Sequence, residues 1–186
     1  MTHKPRAPLA FLYGPPGVGK LTVAREVAAR SPYRVFHNHL AVDFVASVID
    51  FRSAPFHRAL RKVRLDIIGE AARIGQPLVF TYFYTHPDDN DFVLRAIRTT
   101  ARYGQSVEFF RLTASEQTLL RRVQAEERRL TRKIADAATM GSVLERHDVF
   151  AAIPFVRSVD IDTERLSPEE AAGIIVERLQ SRSLGR

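Results

Sequence analysis

A glycine-rich segment near the amino terminus constrains this chain more than any other feature. The apolar run 9–13 leads directly into Gly14-Pro-Pro-Gly-Val-Gly-Lys-Leu-Thr22, and apolar residues at helical spacing, Val23 and Val27, follow. A loop of this kind between a strand and a helix is typical of phosphate binding, because glycines let backbone N–H groups surround an anion and a helix N-terminus favours negative charge. Only four of the 28 basic residues are lysines, and we interpret Lys20 as the cation for the β- and γ-phosphates.

The rest of the chain alternates short apolar runs with segments of helical period. The runs predict five strands at 9–13, 34–37, 78–84, 106–112 and 158–161. Strands separated by helices need crossover connections, which predicts a parallel sheet with helices on both faces in one α/β domain spanning 1–186. The sequences Thr113-Ala-Ser-Glu116 and Ser167-Pro-Glu-Glu170 predict capping boxes at the starts of two helices.

Composition excludes several classes of function. The absence of cysteine rules out disulfides, thiolate metal sites and thiol nucleophiles. No apolar stretch approaches the roughly 18 to 20 residues that span a bilayer. We expect a cytoplasmic protein. We also expect it to be a monomer or a homodimer. The net charge of +7 suits an anionic partner such as a nucleotide, a phosphorylated substrate or a nucleic acid.

Several features together resemble the nucleoside monophosphate kinase-like group. They are the early phosphate-binding loop, an arginine-rich segment two thirds along the chain, and Ile161-Asp-Thr163 before Leu166-Ser-Pro-Glu-Glu170. Within that group the chain is most similar to shikimate kinase and gluconate kinase. The resemblance implies a P-loop NTPase fold with a mobile basic lid at about 127–140. It also implies ATP and Mg²⁺ as cofactors, and transfer of the γ-phosphoryl group to a hydroxyl or phosphate of a small molecule.

The resemblance also assigns roles on the nucleotide side. Thr22 would serve the α-phosphate, since Leu21 stands where a metal-binding hydroxyl usually follows the lysine. Arg122 would flank the adenine, Arg128 or Arg129 would act from the lid, and Arg146 would reach the phosphates from the helix after it. The complete nucleotide-binding prediction comprises Gly14, Pro15, Pro16, Gly17, Val18, Gly19, Lys20, Leu21, Thr22, Arg122, Arg146, Asp162 and Thr163.

The acceptor is expected at the end of the second strand, which reads His37-Asn38-His39. Shikimate kinases carry two acidic residues separated by one at this position, so the two histidines are a departure from that pattern. Ligands of open α/β sheets bind at the carboxyl ends of the strands, which favours a substrate role for His37 and Asn38. His39 and Asp43 are four residues apart and share a helical face, and either is a candidate for the general base.

Further acceptor contacts are predicted on the next two elements. Arg61 and Arg64 lie on a long predicted helix and could hold an anionic group by paired hydrogen bonds. Thr81 and Tyr82 lie near the end of the third strand, where many P-loop enzymes have an aspartate. The sequence therefore does not identify the metal ligands. The segment 86–90, which follows this strand, is interpreted as the cap of the next helix.

Two other functions fit the sequence. Leu21 and the missing strand-end acid are compatible with a nucleotide-binding regulatory or structural protein that transfers nothing. The basic charge would also suit a nucleotide or polynucleotide kinase. A nucleic-acid-binding module is disfavoured, because the arginines collect near the predicted lid without a pattern of aromatic residues for stacking.

Overall fold

The computed structural model describes residues 6–51, 53–127 and 148–183, and these form a parallel sheet with flanking helices. The strands are β1 (Leu9–Tyr13), β2 (Arg34–His37), β3 (Leu78–Tyr82), β4 (Val107–Thr113) and β5 (Ser158–Asp162). The helices are α1 (Lys20–Ala29), α2 (Asn38–Ala46), α3 (Ala54–Ile74), α4 (Asn90–Ala101), α5 (Glu116–Glu127) and α6 (Pro168–Ser183). The predicted α/β class and the five-stranded parallel sheet are confirmed.

The strand order is β2-β3-β1-β4-β5, with every pairing parallel. The central strands β1 and β3 are buried along their whole length, which explains why they read as continuous apolar runs. All five carboxyl ends meet at one edge of the sheet. Adjacent strands lie about 4.8 Å apart, so groups at the ends of β2, β3 and β1 fall within roughly 10 Å of one another.

Alternation along the strands divides the core between the two faces of the sheet. Leu9, Phe11 and Tyr13 of β1 pack in a cluster with residues of α2, α3 and α4. Ala10 and Leu12 pack on the opposite face with residues of α1, α5 and α6. The sheet is thus covered on both sides, as the alternation of strands and helices predicts.

Some element bounds differ from the prediction. β3 ends at Tyr82, because its neighbours β2 and β1 end opposite Thr81 and Tyr82 and leave nothing for later residues to pair with. At the start of α5 the cap is Ser115, whose hydroxyl accepts from the Thr118 N–H, so the capping role expected of Thr113 was wrong.

The second predicted capping box is confirmed. The Ser167 N–H donates to the Glu170 carboxylate, and the Glu170 N–H donates to the Ser167 hydroxyl. The expected lid, with Arg128, Arg129 and Arg146, lies outside the described residues. Within the ranges described, no helix is long and apolar enough to cross a membrane.

Candidate active site

The glycine-rich loop has backbone angles that suit glycine and packs against its surroundings. Gly14, Gly17 and Gly19 have φ values of 148°, 76° and 92°. A Cβ on Gly14 would lie 2.3 Å from the Leu112 carbonyl oxygen of β4, and one on Gly17 would lie 3.0 Å from the Val123 side chain of α5. The loop therefore needs glycine both for its conformation and for its close approach to β4 and α5.

Lys20 begins α1 and folds back over this loop. Its Nζ donates to the carbonyl oxygens of Gly14 at 2.8 Å and Pro15 at 2.7 Å. The first turn of α1 contains no acidic residue, so no carboxylate of that turn competes for the helix N-terminus. Thr22, within the first turn of the helix, is exposed. A cation, the N–H groups at the start of α1 and a hydroxyl thus lie close together where the carboxyl end of β1 meets α1.

Arg122 and Thr163 were predicted on the nucleotide side, and the structure brings them together. The Arg122 guanidinium donates to the Thr163 hydroxyl at 3.0 Å and to the Thr163 carbonyl oxygen at 2.7 Å. The Cβ of Arg122 lies 3.9 Å from the Cβ position of Gly17, which places this pair beside the loop. Asp162 is engaged differently, because its carboxylate accepts from the Glu164 N–H and pairs with Arg165.

The histidine pair lies at the end of β2. His37 ends the strand, α2 begins at Asn38, and the rings of His37 and His39 are 5.0 Å apart. The Asn38 N–H donates to the buried Thr81 hydroxyl at 3.3 Å, which ties the start of α2 to β3. The Asn38 Oδ1 is buried and has no hydrogen-bond partner among the described residues. Its capacity to accept a hydrogen bond is therefore unused among the described residues. Asp43, one turn after His39, is exposed.

Arg64 is the most unusual charged residue in the described part of the chain. Arg64 lies on α3 and only 8% of its surface is exposed. Its guanidinium carbon lies 5.2 Å from the centroid of the Tyr82 ring and 5.7 Å from the centroid of the Phe92 ring. Its Nε is buried with no hydrogen-bond partner among the residues described. Burial lowers the pKa of the guanidinium, whereas Tyr82 and Asp89 oppose that shift. Arg61, one turn earlier, is exposed.

Asp89 is a residue that sequence reasoning interpreted only as part of a helix cap. It does precede α4, but its side chain makes no capping bond to the helix. Instead Oδ1 accepts from the Tyr82 hydroxyl at 2.8 Å, and Oδ2 accepts from the Thr85 N–H and hydroxyl at 2.9 and 2.8 Å. Burial, followed by the charge of Asp89, raises the pKa of Tyr82 well above its usual value. The Tyr82 hydroxyl is thus a fixed donor to Asp89.

An acidic residue therefore does reach the carboxyl end of β3, although none follows the strand directly in sequence. The chain leaves the sheet after Tyr82 and returns through the turn at Thr85, so the contact spans seven residues with no periodic signal. Only the composition of the segment 85–90, rich in polar residues, hints at an ordered turn.

Comparison with known proteins identifies solved structures that share the fold of this chain. No protein-family model matches the chain, and no curated protein matches it. Solved structures do. A candidate kinase from Chloroflexus aurantiacus has a TM-score of 0.70 and 16% identity, over 95% of this chain and 98% of that one. Shikimate kinase from Acinetobacter baumannii, solved with shikimate, has a TM-score of 0.63 and 17% identity, over 94% of each chain. A gluconokinase from Sinorhizobium meliloti has a TM-score of 0.59 and 16% identity, over 95% of this chain and 98% of the gluconokinase chain.

These similarities extend over nearly the full length of each chain, while identity stays below one residue in five. At that level of identity the likeness concerns architecture, and residue roles must be argued from the side chains themselves. The five-stranded parallel sheet, its order and the loop after β1 give this protein the P-loop fold of shikimate kinase and gluconokinase.

Proposed function

We propose that this protein is an ATP- and Mg²⁺-dependent phosphotransferase whose acceptor is a small molecule carrying both a hydroxyl and an anionic group. The γ-phosphoryl group moves to the acceptor hydroxyl. The observation that carries the proposal is the pairing of a phosphate-binding loop after β1 with the buried, incompletely bonded Arg64 beside the neighbouring strand β3.

The donor half of this proposal is supported by the loop. Three glycines with positive φ, an α1 start free of acidic residues and Lys20 match what a triphosphate needs from a protein. The two carbonyl bonds of Lys20 are exchangeable for bonds to β- and γ-phosphate oxygens. Arg122, held by Thr163 beside the loop, offers a flat guanidinium face for the adenine ring.

The acceptor half is supported by Arg64. A buried guanidinium without a direct carboxylate partner costs several kcal/mol, a cost that an anionic ligand with two oxygens would offset. Asp89 supplies part of the missing negative charge, but it does so through the Tyr82 hydroxyl. A carboxylate or phosphate on the acceptor would complete the site, and Asn38 Oδ1 would accept from one of its hydroxyls.

Transfer itself needs a proton acceptor near the attacking oxygen. As that oxygen bonds to the γ-phosphorus and the bond to the β–γ bridging oxygen breaks, Asp43 or His39 takes the hydroxyl proton. The predicted lid residues Arg128, Arg129 and Arg146 would stabilise the charge on the transferring group. The two candidates for the base lie one turn apart on α2.

Magnesium fits this site through the nucleotide. Among the described residues no three His, Asp or Glu side chains gather as a metal-binding group. Mg²⁺ characteristically keeps several waters and binds one or two carboxylates together with substrate phosphates. Thr22 and Asp43, both exposed, are the residues that would hold its waters, and bound Mg²⁺ would neutralise phosphate charge.

The test is an acceptor panel built from matched pairs. ADP formation by the wild-type protein with ATP and Mg²⁺ is measured with polyhydroxy carboxylates such as gluconate and shikimate, and with neutral polyols such as sorbitol. We expect at least one anionic acceptor to raise ADP formation about tenfold or more above its neutral partner, since one charge-assisted bond contributes this much. Equal stimulation by neutral polyols would contradict the role of Arg64. ATP binding without stimulation by any acceptor would support the regulatory alternative.

A further inference from the structure

A cavity lies far from the P-loop, at the amino-terminal edge of the sheet. Its volume is about 340 Å³, and its walls come from the end of α4, the start of β4, the residues just before β5 and the last turns of α6. β5 begins opposite Phe109, so Val107 and Glu108 extend beyond the end of their neighbour. The cavity occupies the space beside this overhang. Its volume falls within the range of small-ligand sites.

The charged lining of this cavity is unbalanced. Three arginines, Arg157, Arg178 and Arg182, face one acid, Glu108. Glu108 is 9% exposed, and its two oxygens are already used, one by the Nε of Arg178 at 3.0 Å and the other by the Nε of Arg182 at 2.8 Å. Both arginines bind it through Nε, which leaves their terminal nitrogens without a hydrogen bond to any described residue. The cavity therefore has an excess of two positive charges.

Arg157 adds a cation that pairs with no described residue. It is exposed, and it makes no hydrogen bond or ion pair with the other described residues. It precedes β5, whereas Arg178 and Arg182 lie one turn apart on α6. Guanidinium groups thus approach the cavity from two separate elements, a geometry suited to binding one anionic group from two sides.

The rest of the lining is mostly apolar. Its polar members are Thr100, Gln105 and Ser106, and the side chains of Thr100 and Gln105 donate to the backbone carbonyls of Ala96 and Ala7. The other five residues are apolar. Ile97 and Ala101 come from α4, Val107 and Phe109 from β4, and Val156 from the segment before β5. An inorganic ion would leave this surface uncovered, whereas a ligand with a ring or short chain would bury it and gain from its removal from water. The two kinds of lining call for a ligand that combines an anionic head with an apolar body.

We propose that this cavity is a second ligand site, separate from the P-loop edge, for a small amphipathic anion. The head would bind between Arg157 and the terminal nitrogens of Arg178 and Arg182, and the body would lie on Ile97, Ala101 and Val156. Glu108 holds the two α6 arginines in place and so fixes the head site. Nothing in the kinase reaction proposed above requires this site.

The test uses 4-phenylbutanoate, compared with neutral 4-phenylbutanol and with acetate, which lacks the apolar body. Binding is followed by titration calorimetry with wild type, Arg157→Gln and Arg95→Gln, the control being an exposed α4 arginine paired with Asp91 away from the cavity. Arg157→Gln leaves both bonds to Glu108 intact, so folding should be retained, and its thermal midpoint checks this. A further variant, Arg64→Gln, reports binding at the proposed acceptor site instead.

We expect saturable binding of 4-phenylbutanoate, with acetate and 4-phenylbutanol at least about tenfold weaker. Arg157→Gln should weaken it about five- to tenfold, as for loss of one charge-assisted bond, while Arg95→Gln and Arg64→Gln leave it unchanged. Equal affinity of acid and alcohol, or equal effects of Arg157→Gln and Arg95→Gln, would overturn the proposal. Loss of binding in Arg64→Gln alone would assign the ligand to the acceptor site and would also overturn it.

Discussion

The P-loop and the surroundings of Arg64 lie at the ends of neighbouring strands, yet they are built in opposite ways. The loop is made from backbone, with three positive-φ glycines and a helix start arranged around one lysine. The surroundings of Arg64 are made from side chains, with a guanidinium on α3 facing two rings and a tyrosine bound to an aspartate from the next turn.

This difference explains what each region can recognise. Backbone N–H groups after a strand can donate to any polyphosphate, so in the proposed function the loop would distinguish the class of donor and little else. In the proposed function, the buried Arg64, whose Nε has no hydrogen-bond partner among the described residues, would select among acceptors, because its burial is offset only by a partner of the right charge and shape. Donor binding and acceptor choice should therefore respond separately to substitution.

The largest expected effect comes from the candidate base. Asp43→Asn should lower turnover by about 10²- to 10⁴-fold and leave ATP affinity nearly unchanged, because the amide keeps the shape but takes no proton. His39→Asn should cost less. If His39 is the base, the ranking reverses and the rate falls on acidification as the imidazole takes up a proton. Full turnover in both variants, measured with the same acceptor, would show that the base lies elsewhere.

Lys20→Ala should have the next largest effect, and it should fall on the donor side. We expect kcat/KM for ATP to drop by about 10²- to 10³-fold, the usual result of removing one fixed donor to a developing charge. The fold should be largely unaffected, because the Lys20 side chain is not part of the apolar core and its Nζ donates to loop carbonyls. Lys62→Ala is the control, since Lys62 is an exposed lysine paired with Asp66. Wild-type ATP affinity in Lys20→Ala would contradict the P-loop assignment.

Arg64→Met should weaken acceptor binding without lowering the stability of the fold. Acceptor KM should rise about 10- to 100-fold with unchanged ATP affinity, as expected for loss of charge-assisted bonds. The free energy of unfolding should stay within about 1 kcal/mol of wild type or increase, since an apolar side chain replaces a buried charge that has no carboxylate partner among the described residues. Denaturant unfolding and steady-state kinetics measure the two quantities. Strong destabilisation, with Arg61→Met as the exposed control, would make Arg64 a structural residue.

Arg122→Gln should have the smallest effect, a loss of ATP affinity of about three- to tenfold. Two of its nitrogens already serve Thr163, so only part of its interaction energy is available to a nucleotide. Arg121→Gln is the control, because Arg121 bonds to Thr118 within the same helix. If the two variants bind ATP equally well, Arg122 ties α5 to the end of β5 and has no nucleotide role.

The two regions also differ in how far sequence could predict them. The loop, the sheet and strands β1 and β2 followed from local patterns, because glycine spacing and apolar runs act over a few residues. The pairing of Arg122 with Thr163 could be expected only from family resemblance, since it joins residues 41 apart. The contact of Tyr82 with Asp89 had no signal, because it depends on a turn after β3.

The end of β3 shows the same limit at the level of secondary structure. The apolar run to Tyr84 predicts a longer strand than the structure has, because a strand's length is set by its partners. Tyr84 is buried outside the sheet, where its hydroxyl donates to Asn90. The apolar run correctly predicts that Tyr84 is buried. It does not predict that the strand ends before Tyr84, because that depends on where the neighbouring strands end.

The most direct measurement follows the γ-phosphoryl group itself. The protein is incubated with γ-labelled ATP, Mg²⁺ and an anionic hydroxyl acceptor that raises ADP formation, and the label is traced after chromatographic separation. The account predicts label in a phosphorylated acceptor in amounts equal to the ADP formed, and about 10²- to 10³-fold less label from Lys20→Ala at limiting ATP. Label found only in inorganic phosphate at every acceptor concentration, with ATP fully bound, would contradict phosphoryl transfer as the function of this protein.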